Sequence, residues 1–447
     1  MSRRGPTVSL AVVAVAFAGG GGPPAHAEFP RVDPAAFGAE RAHTDASPAV
    51  SWADLADPTT LTPAEEAAPA GAILARRFNP AMAFVHRDIW PVPVRYAWAD
   101  GAGLTARVLD EQGRTVRQYE ALPHRRLADD DWSDLPTTDA DGRRIHYAVD
   151  APGDDRMEQG VSAWRRRWRA IMNGDPLEHA APAAFEYAPT QHAHLFWFNR
   201  AKGLLAIQYW FYFPYNEWIN HHEGDWEHVN VILRGPSRLD GDEGFRPVGY
   251  QFFFHEFTHE PHEVVRVGGS DPREDHVVVY TGGRSQFLRW QGLQSGGSFP
   301  MPGVYTGVGG GVTGYRADED VSRPERFIRP EDFAITMLPE PDRLDVGLFP
   351  ELSWLRLDFF AGQAVMHMNP LALNGMTFGS TPRQPARQEA WNNAWIPRPW
   401  QGRSTYAQNA PALPSGWTPL VGPPISDETS YAARKPARRT PQKPVRR

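Results

Sequence analysis

Two carboxylates, Asp225 and Glu227, stand two residues apart at the start of an apolar run, DWEHVNVIL over 225–233. On a strand, period two puts Asp225, Glu227, Val229, Val231 and Leu233 on one face and Trp226, His228, Asn230 and Ile232 on the other. The face that opens with two acids continues into the core, which predicts both acids at the core's rim. Carboxylates about 5 Å apart repel by roughly 3 kcal/mol at an effective dielectric near 20. A proton, a basic side chain or a metal ion must offset that. The hinge before them holds Asn216, Glu217, Asn220, His221, His222 and Glu223, and no Lys or Arg occurs between Lys202 and Arg234. A bound cation meets the need. So does a turn in which the acids accept backbone N–H groups while the histidines stay in water.

The elements that must position these residues are dense in aromatics. Leu205, Ile207, Tyr209, Phe211 and Phe213 alternate with Leu204, Ala206, Gln208, Trp210 and Tyr212, which predicts a strand buried on both faces and ended by Pro214. His194 to Asn199 predicts a second strand, paired with the first through the turn 200–203. Upstream, 73–98 reads as a short helix, a strand and a second strand punctuated by proline. His255-Glu256-Phe257-Thr258-His259 matches the zinc-protease pattern HExxH, which needs a helix. The strand-forming GYQFFF before it and Pro261 after it predict a strand instead. No GxSxG occurs, and the glycine run 307–311 lacks the Gly-Lys-Ser/Thr of a phosphate loop.

QYWFYFPYN (208–216) followed by HHEGDWEHVNV (221–231) resembles the vacuolar protein sorting-associated family numbered sixty-two, which carries a QYWFFYPYN-like strand and then GDWEHV. More distantly it is similar to the necrosis- and ethylene-inducing-like cytolysins, with their GHRHDWE heptapeptide. The opening over 73–98 resembles the sorting family's opening as well, and the run ELSWLRLDFFAG (351–362) resembles its closing strand. In the cytolysins the heptapeptide's first His, its Asp and its Glu hold a divalent cation together with a strand Asp. Residue by residue, that implies His222, Asp225 and Glu227 as ligands, with Asn216 where the strand Asp stands, so one anionic ligand is missing and Glu217 or Glu223 would substitute. Carboxylate and amide oxygens with one His suit Ca²⁺, Mg²⁺ or Mn²⁺ better than Zn²⁺. The resemblance implies a β-sandwich and recognition of sphingolipid sugar headgroups. Trp226, His228 and His255 are candidates to touch the ligand beside the ion.

Composition sets the bounds. The chain has 447 residues, a net charge of −7, sixteen Trp and no Cys. Disulfides, thiolate metal sites and catalytic cysteine are therefore excluded, and the acidic balance argues against a nucleic-acid groove. Arg3 and Arg4, the apolar run 8–18 and Ala25-His26-Ala27 predict a signal peptide over 1–27 and a secreted or periplasmic protein. Residues 28–70 read as an extended arm or linker, 71–425 as a β-sandwich domain, and 426–447 as a disordered basic tail. The sandwich is expected to be mainly β, with mostly antiparallel strands, long loops and a helical insertion near 157–172.

Two functions follow as expectations. One is a secreted, divalent-cation-dependent module that binds sugar or lipid headgroups, with a membrane surface as a possible target. The other is a metal-assisted secreted hydrolase in which His222, His228 or His255 relays a proton. An ion that only stabilises the sandwich is a third reading of the same residues.

Overall fold

The computed structural model describes residues 52–55, 57–84, 90–98, 103–110, 115–122, 131–150, 187–216, 222–254, 257–258, 276–281, 284–285, 297–299, 303–306, 314–317, 327–362, 382–393, 398–399 and 404–406. In chain order the elements begin with β1 (Thr59–Thr60), α1 (Pro63–Glu66), α2 (Pro69–Arg77), β2 (Ala81–Phe84), β3 (Gly103–Leu109), β4 (Thr115–Leu122) and β5 (Ile145–Asp150). The central strands are β6 (Thr190–Asn199), β7 (Leu204–Asn216), β8 (His222–Arg234) and β9 (Arg246–Phe254). Shorter strands follow: β10 (Phe257–Thr258), β11 (Val278–Thr281), β12 (Arg284–Ser285), β13 (Ser298–Phe299), β14 (Gly303–Thr306), β15 (Gly314–Ala317), β16 (Phe327–Ile328), β17 (Ala334–Met337), β18 (Asp358–Phe360), β19 (Arg398–Pro399) and β20 (Ser404–Tyr406).

The fold is mainly β and mostly antiparallel. Among the described residues the largest sheet runs β1-β6-β7-β8-β9-β10-β19, with β17 also paired to β6. Three four-stranded sheets accompany it, ordered β13-β11-β2-β16, β12-β15-β14-β20 and β18-β5-β3-β4.

β7 is the axis, as its two-faced apolar pattern predicts. Leu195, Ile207, Val231 and Tyr250 fall in register across four strands and face α2, where the Tyr209 hydroxyl donates to the Ala75 carbonyl at 2.8 Å. The opposite face carries Phe196, Phe198, Ala206 and Ile232 packed with Leu55. Both faces are covered, so β6 is buried at every position. The turn between β6 and β7 is a short 3-10 helix capped by Asn199, whose Oδ1 accepts from Lys202 N at 3.1 Å. Gly203 leaves it at φ 62°, where an added Cβ would lie 2.0 Å from the Gly235 carbonyl oxygen, so only glycine fits.

Three expectations need correction. Pro214 does not end the ladder: β7 runs on to Asn216, with Tyr215 opposite Glu223 and Asn216 opposite His222. The strand tolerates proline there because its partner position is Gly224 at φ 60°, and the ladder pairs 213 with 225 and 215 with 223 while skipping that step. The region 94–98 is a 3-10 helix rather than a strand, as Pro91 and Pro93 withhold the donors a ladder needs. Likewise 350–356 is a 3-10 helix, and only 358–360 is strand.

Order also begins before Gly71. Thr62 and Glu65 form a reciprocal capping box on α1, and the Glu65 carboxylate then receives both Arg200 nitrogens at 2.7 Å and Leu239 N at 3.1 Å. Residues 57–70 are therefore fastened to the central sheet. The expected helix near 157–172 and the stretches 1–51 and 407–447 lie outside the described residues.

Candidate functional site

β8 brings the acidic residues together in the way its alternation predicts, and encloses them. Glu223 stands opposite Tyr215 on β7, and beyond Gly224 the acids Asp225 and Glu227 share one face, opposite Phe213 and Phe211. The three are 1%, 0% and 0% exposed. The expectation that Asp225 and Glu227 sit at a rim is therefore corrected. β8 lies between β7 and β9, and β13, from the second sheet, lies against both β8 and β9. None of the three residues is without an interaction partner. Their charge is felt nearby: the Tyr212 hydroxyl is held well above its usual pKa by burial first, then by Glu223, Tyr96 and Asp225.

Asn216 and His222 are cross-strand partners at the mouth of the β7–β8 hairpin. His222 precedes Asp225 by three positions, an odd offset, so a regular strand would put the two on opposite faces. The positive φ at Gly224 falls between them and interrupts that regularity. Glu223 stands at an even offset from Asp225, with the same glycine between them. Among the described residues no three His, Asp or Glu side chains converge closely enough to hold a metal ion. Glu217 and His255 lie outside the described residues.

The other face of β8 is a packed aromatic layer. Trp226 is fully buried, with its ring 5.2 Å from His192, 5.1 Å from Tyr212 and 6.2 Å from Trp354. Trp354 continues into Trp98, Trp132 and Phe359, which join this face to the β18-β5-β3-β4 sheet. His228 is stacked between Trp210 at 4.0 Å and Phe253 at 3.8 Å. Burial holds its pKa well below the usual histidine value, so it stays neutral. A ligand arriving from solvent meets neither Trp226 nor His228 in this arrangement.

Two backbone approaches fix the start of the motif. A Cβ on Gly224 would lie 1.7 Å from the Ala361 carbonyl oxygen, and one on Gly362 would lie 2.3 Å from that of Glu223. Segment 361–362 thus clamps 223–224 backbone to backbone, and the Tyr212 hydroxyl donates to Ala361 O at 2.8 Å. This is the structural use of the glycine in GDWEHV and of the one in FFAG.

A row of buried polar residues crosses the same sheet outside any of the motifs. His194, Gln208, Asn230 and Gln251 stand in register across β6 to β9. Gln208 Nε2 donates to Ala390 O and Asn230 Nδ2 to Gln251 Oε1, both at 2.8 Å. His194 stacks on Trp391 at 3.6 Å, and its Nε2 lies 2.8 Å from Asn392 Oδ1. Asn392 and Trp391 in turn donate to Glu340, whose pKa falls to about 2 because these bonds and His194 outweigh its burial. The signal was present: Gln208 and Asn230 interrupt otherwise apolar runs. Their role is to dock residues 384–393 on the sheet.

The HExxH match does not build a zinc helix, because its Phe257 and Thr258 are strand and pair back on Phe254 and Phe253. No helix among the described residues is long and apolar enough to cross a membrane. No family model matches the chain and no curated protein matches it, so neither comparison supports the expected likeness to the sorting-associated family. Among solved structures the chain is similar to necrosis and ethylene inducing protein 2 from the causal agent of cocoa's witches' broom disease. The match has 12% identity, covers 55% of this chain and 74% of that one, and has a TM-score of 0.19, an overlap too slight to argue from.

Proposed function

We propose that the chain is an exported, divalent-cation-dependent module that binds sugar or lipid headgroups, with its ion held at the start of β8. The observation that carries this reading is the burial of Glu223, Asp225 and Glu227 within five residues of a single strand, Asp225 and Glu227 on one face, in a stretch without Lys or Arg from 203 to 233. Enclosed carboxylates need positive charge close by, and oxygen-rich sites select Ca²⁺, Mg²⁺ or Mn²⁺. Asp225 is the central ligand, with Glu223 or Glu227 beside it. By sequence, Asn216, Glu217 and His222 are the further candidate ligands. A headgroup then binds through the ion. The binding reading is preferred to a metal-assisted hydrolase because His228, one of the relays such an enzyme would use, is covered on both ring faces.

Titration calorimetry of Ca²⁺, Mg²⁺ and Mn²⁺ into the wild type and Asp225→Asn tests the site. Loss of at least about tenfold in affinity, or about 1.4 kcal/mol, is expected in the variant. Equal affinity in the two proteins removes the ion from the account. Retention of the protein on glycans or vesicles with and without chelator then tests the module itself.

A further inference from the structure

A second charged cluster lies on the β18-β5-β3-β4 sheet, separate from the acids of β8. Asp358 opens β18, its carboxylate buried. Its register partner His146 on β5 brings Nδ1 to 3.1 Å of one carboxylate oxygen. Arg144 Nη1 stands 3.8 Å from the same oxygen, and Arg383 Nε 3.5 Å from the other. Arg387 completes the group. Burial, then the like charge of Arg144, holds its pKa below the usual value against the pull of Asp358, and Arg383 adds to the crowding.

Two guanidinium groups and an imidazole thus meet at one carboxylate, with Arg387 held next to them on Arg356 O and Leu357 O, in a chain whose net charge is −7. One bidentate arginine would neutralise Asp358, yet its nearest partner is His146 Nδ1 at 3.1 Å, and the arginines come only to 3.5 and 3.8 Å. The arginines stand off from it. The Arg144 and Arg383 side chains are 59% and 42% exposed. Arg383 and Arg387 are held in place without any bound anion. Gln384 Nε2 donates to Leu355 O at 2.9 Å and Leu357 O at 3.1 Å, and Arg387 donates to Arg356 O at 2.7 Å. The Arg383 guanidinium sits 5.6 Å over the Phe360 ring. A preorganised cluster of planar forks with surplus charge suits a tetrahedral oxyanion.

We infer that Arg144, Arg383 and Arg387, with His146 beside them, form a binding site for a phosphate or sulfate group. The site does not depend on the cation proposed for β8. The test uses the full chain with two probes: inorganic phosphate by titration calorimetry, and phosphatidylcholine vesicles with and without phosphatidic acid by sedimentation. Binding is expected at low ionic strength and should weaken with salt. Arg144→Gln and Arg383→Gln should each weaken it about tenfold. Asp358→Asn should tighten it by removing the competing negative charge, a gain that a purely structural cluster would not give. A response to free phosphate supports a general phosphate site, and a response to the phosphatidic acid vesicles alone assigns the headgroup of a lipid. No binding of either probe, or binding equally strong in both arginine variants, overturns the site.

Discussion

At the scale of single residues, burial and pairing set how this protein answers acid. Glu65 and Glu340 are each lowered from 4.5 to about 2. For Glu65, the hydrogen bonds from Arg200, Thr62 and Leu239 together outweigh burial. A depressed carboxylate gives stability that is complete above its unfolded value and is lost as pH falls from about 4.5 through about 2. His192 acts at higher pH. Burial lowers it from 6.5 to about 4 against a weaker opposing pull from a backbone hydrogen bond, and Val94 N–H donates to its Nε2 at 3.4 Å. The unfolded chain takes up a proton on this residue below about pH 6.5 while the folded chain does not. Its contribution therefore declines from there to about pH 4, by up to about 3 kcal/mol. Urea unfolding between pH 7 and 4 should show a falling midpoint, and His192→Asn should flatten that fall relative to its own value at pH 7. A second expectation is that Glu65→Gln destabilises by about 2 kcal/mol at pH 7 and removes part of the loss below pH 4.5.

At the scale of elements, the start of β8 depends on backbone clearance more than on side-chain chemistry. Gly224→Ala forces a Cβ to 1.7 Å from Ala361 O at φ 60°, and Gly362→Ala forces one to 2.3 Å from Glu223 O at φ 145°. Neither contact is with a flexible side-chain end, so the chain must move. Each substitution should cost more than about 3 kcal/mol, and the pair should cost less than the sum because one shift relieves both. Thermal unfolding of the two single variants and the double variant checks this. Gly142→Ala serves as the comparison, since its φ is 76° but nothing lies within 4 Å of the added Cβ, and only the conformational cost of about 1 kcal/mol remains.

At the scale of the whole molecule, residues distant in sequence close the central sheet. Residues 384–393 cover Gln208 and His194, 361–362 cover the head of β8, and α1 ties the β6–β7 turn to the loop at Leu239. Trp391→Ala should uncover the His194 ring and cost about 3 kcal/mol. A chain stopped before Gln384 should expose the polar row and bind a hydrophobic dye at neutral pH, with size-exclusion chromatography reporting association. Retention of the wild-type elution volume and melting temperature in that shortened chain would show that the cover is dispensable.

Local pattern was enough for the mainly β class, the two-faced burial of β7, its hairpin with β6, and the division of β8 into an acidic and an aromatic face. Each of these follows from alternation and β-propensity over a few neighbouring residues. The depth of Asp225 and Glu227 was not legible, because it is set by β9 and by β13, some seventy residues on. The use of Gly224 was hidden too, since Ala361 alone gives it meaning. The gathering of Arg144, His146, Arg383 and Arg387 about Asp358 joins three stretches with no shared spacing. Hydrophobic period fixes which way a side chain faces; only the packing of distant strands decides what meets it there.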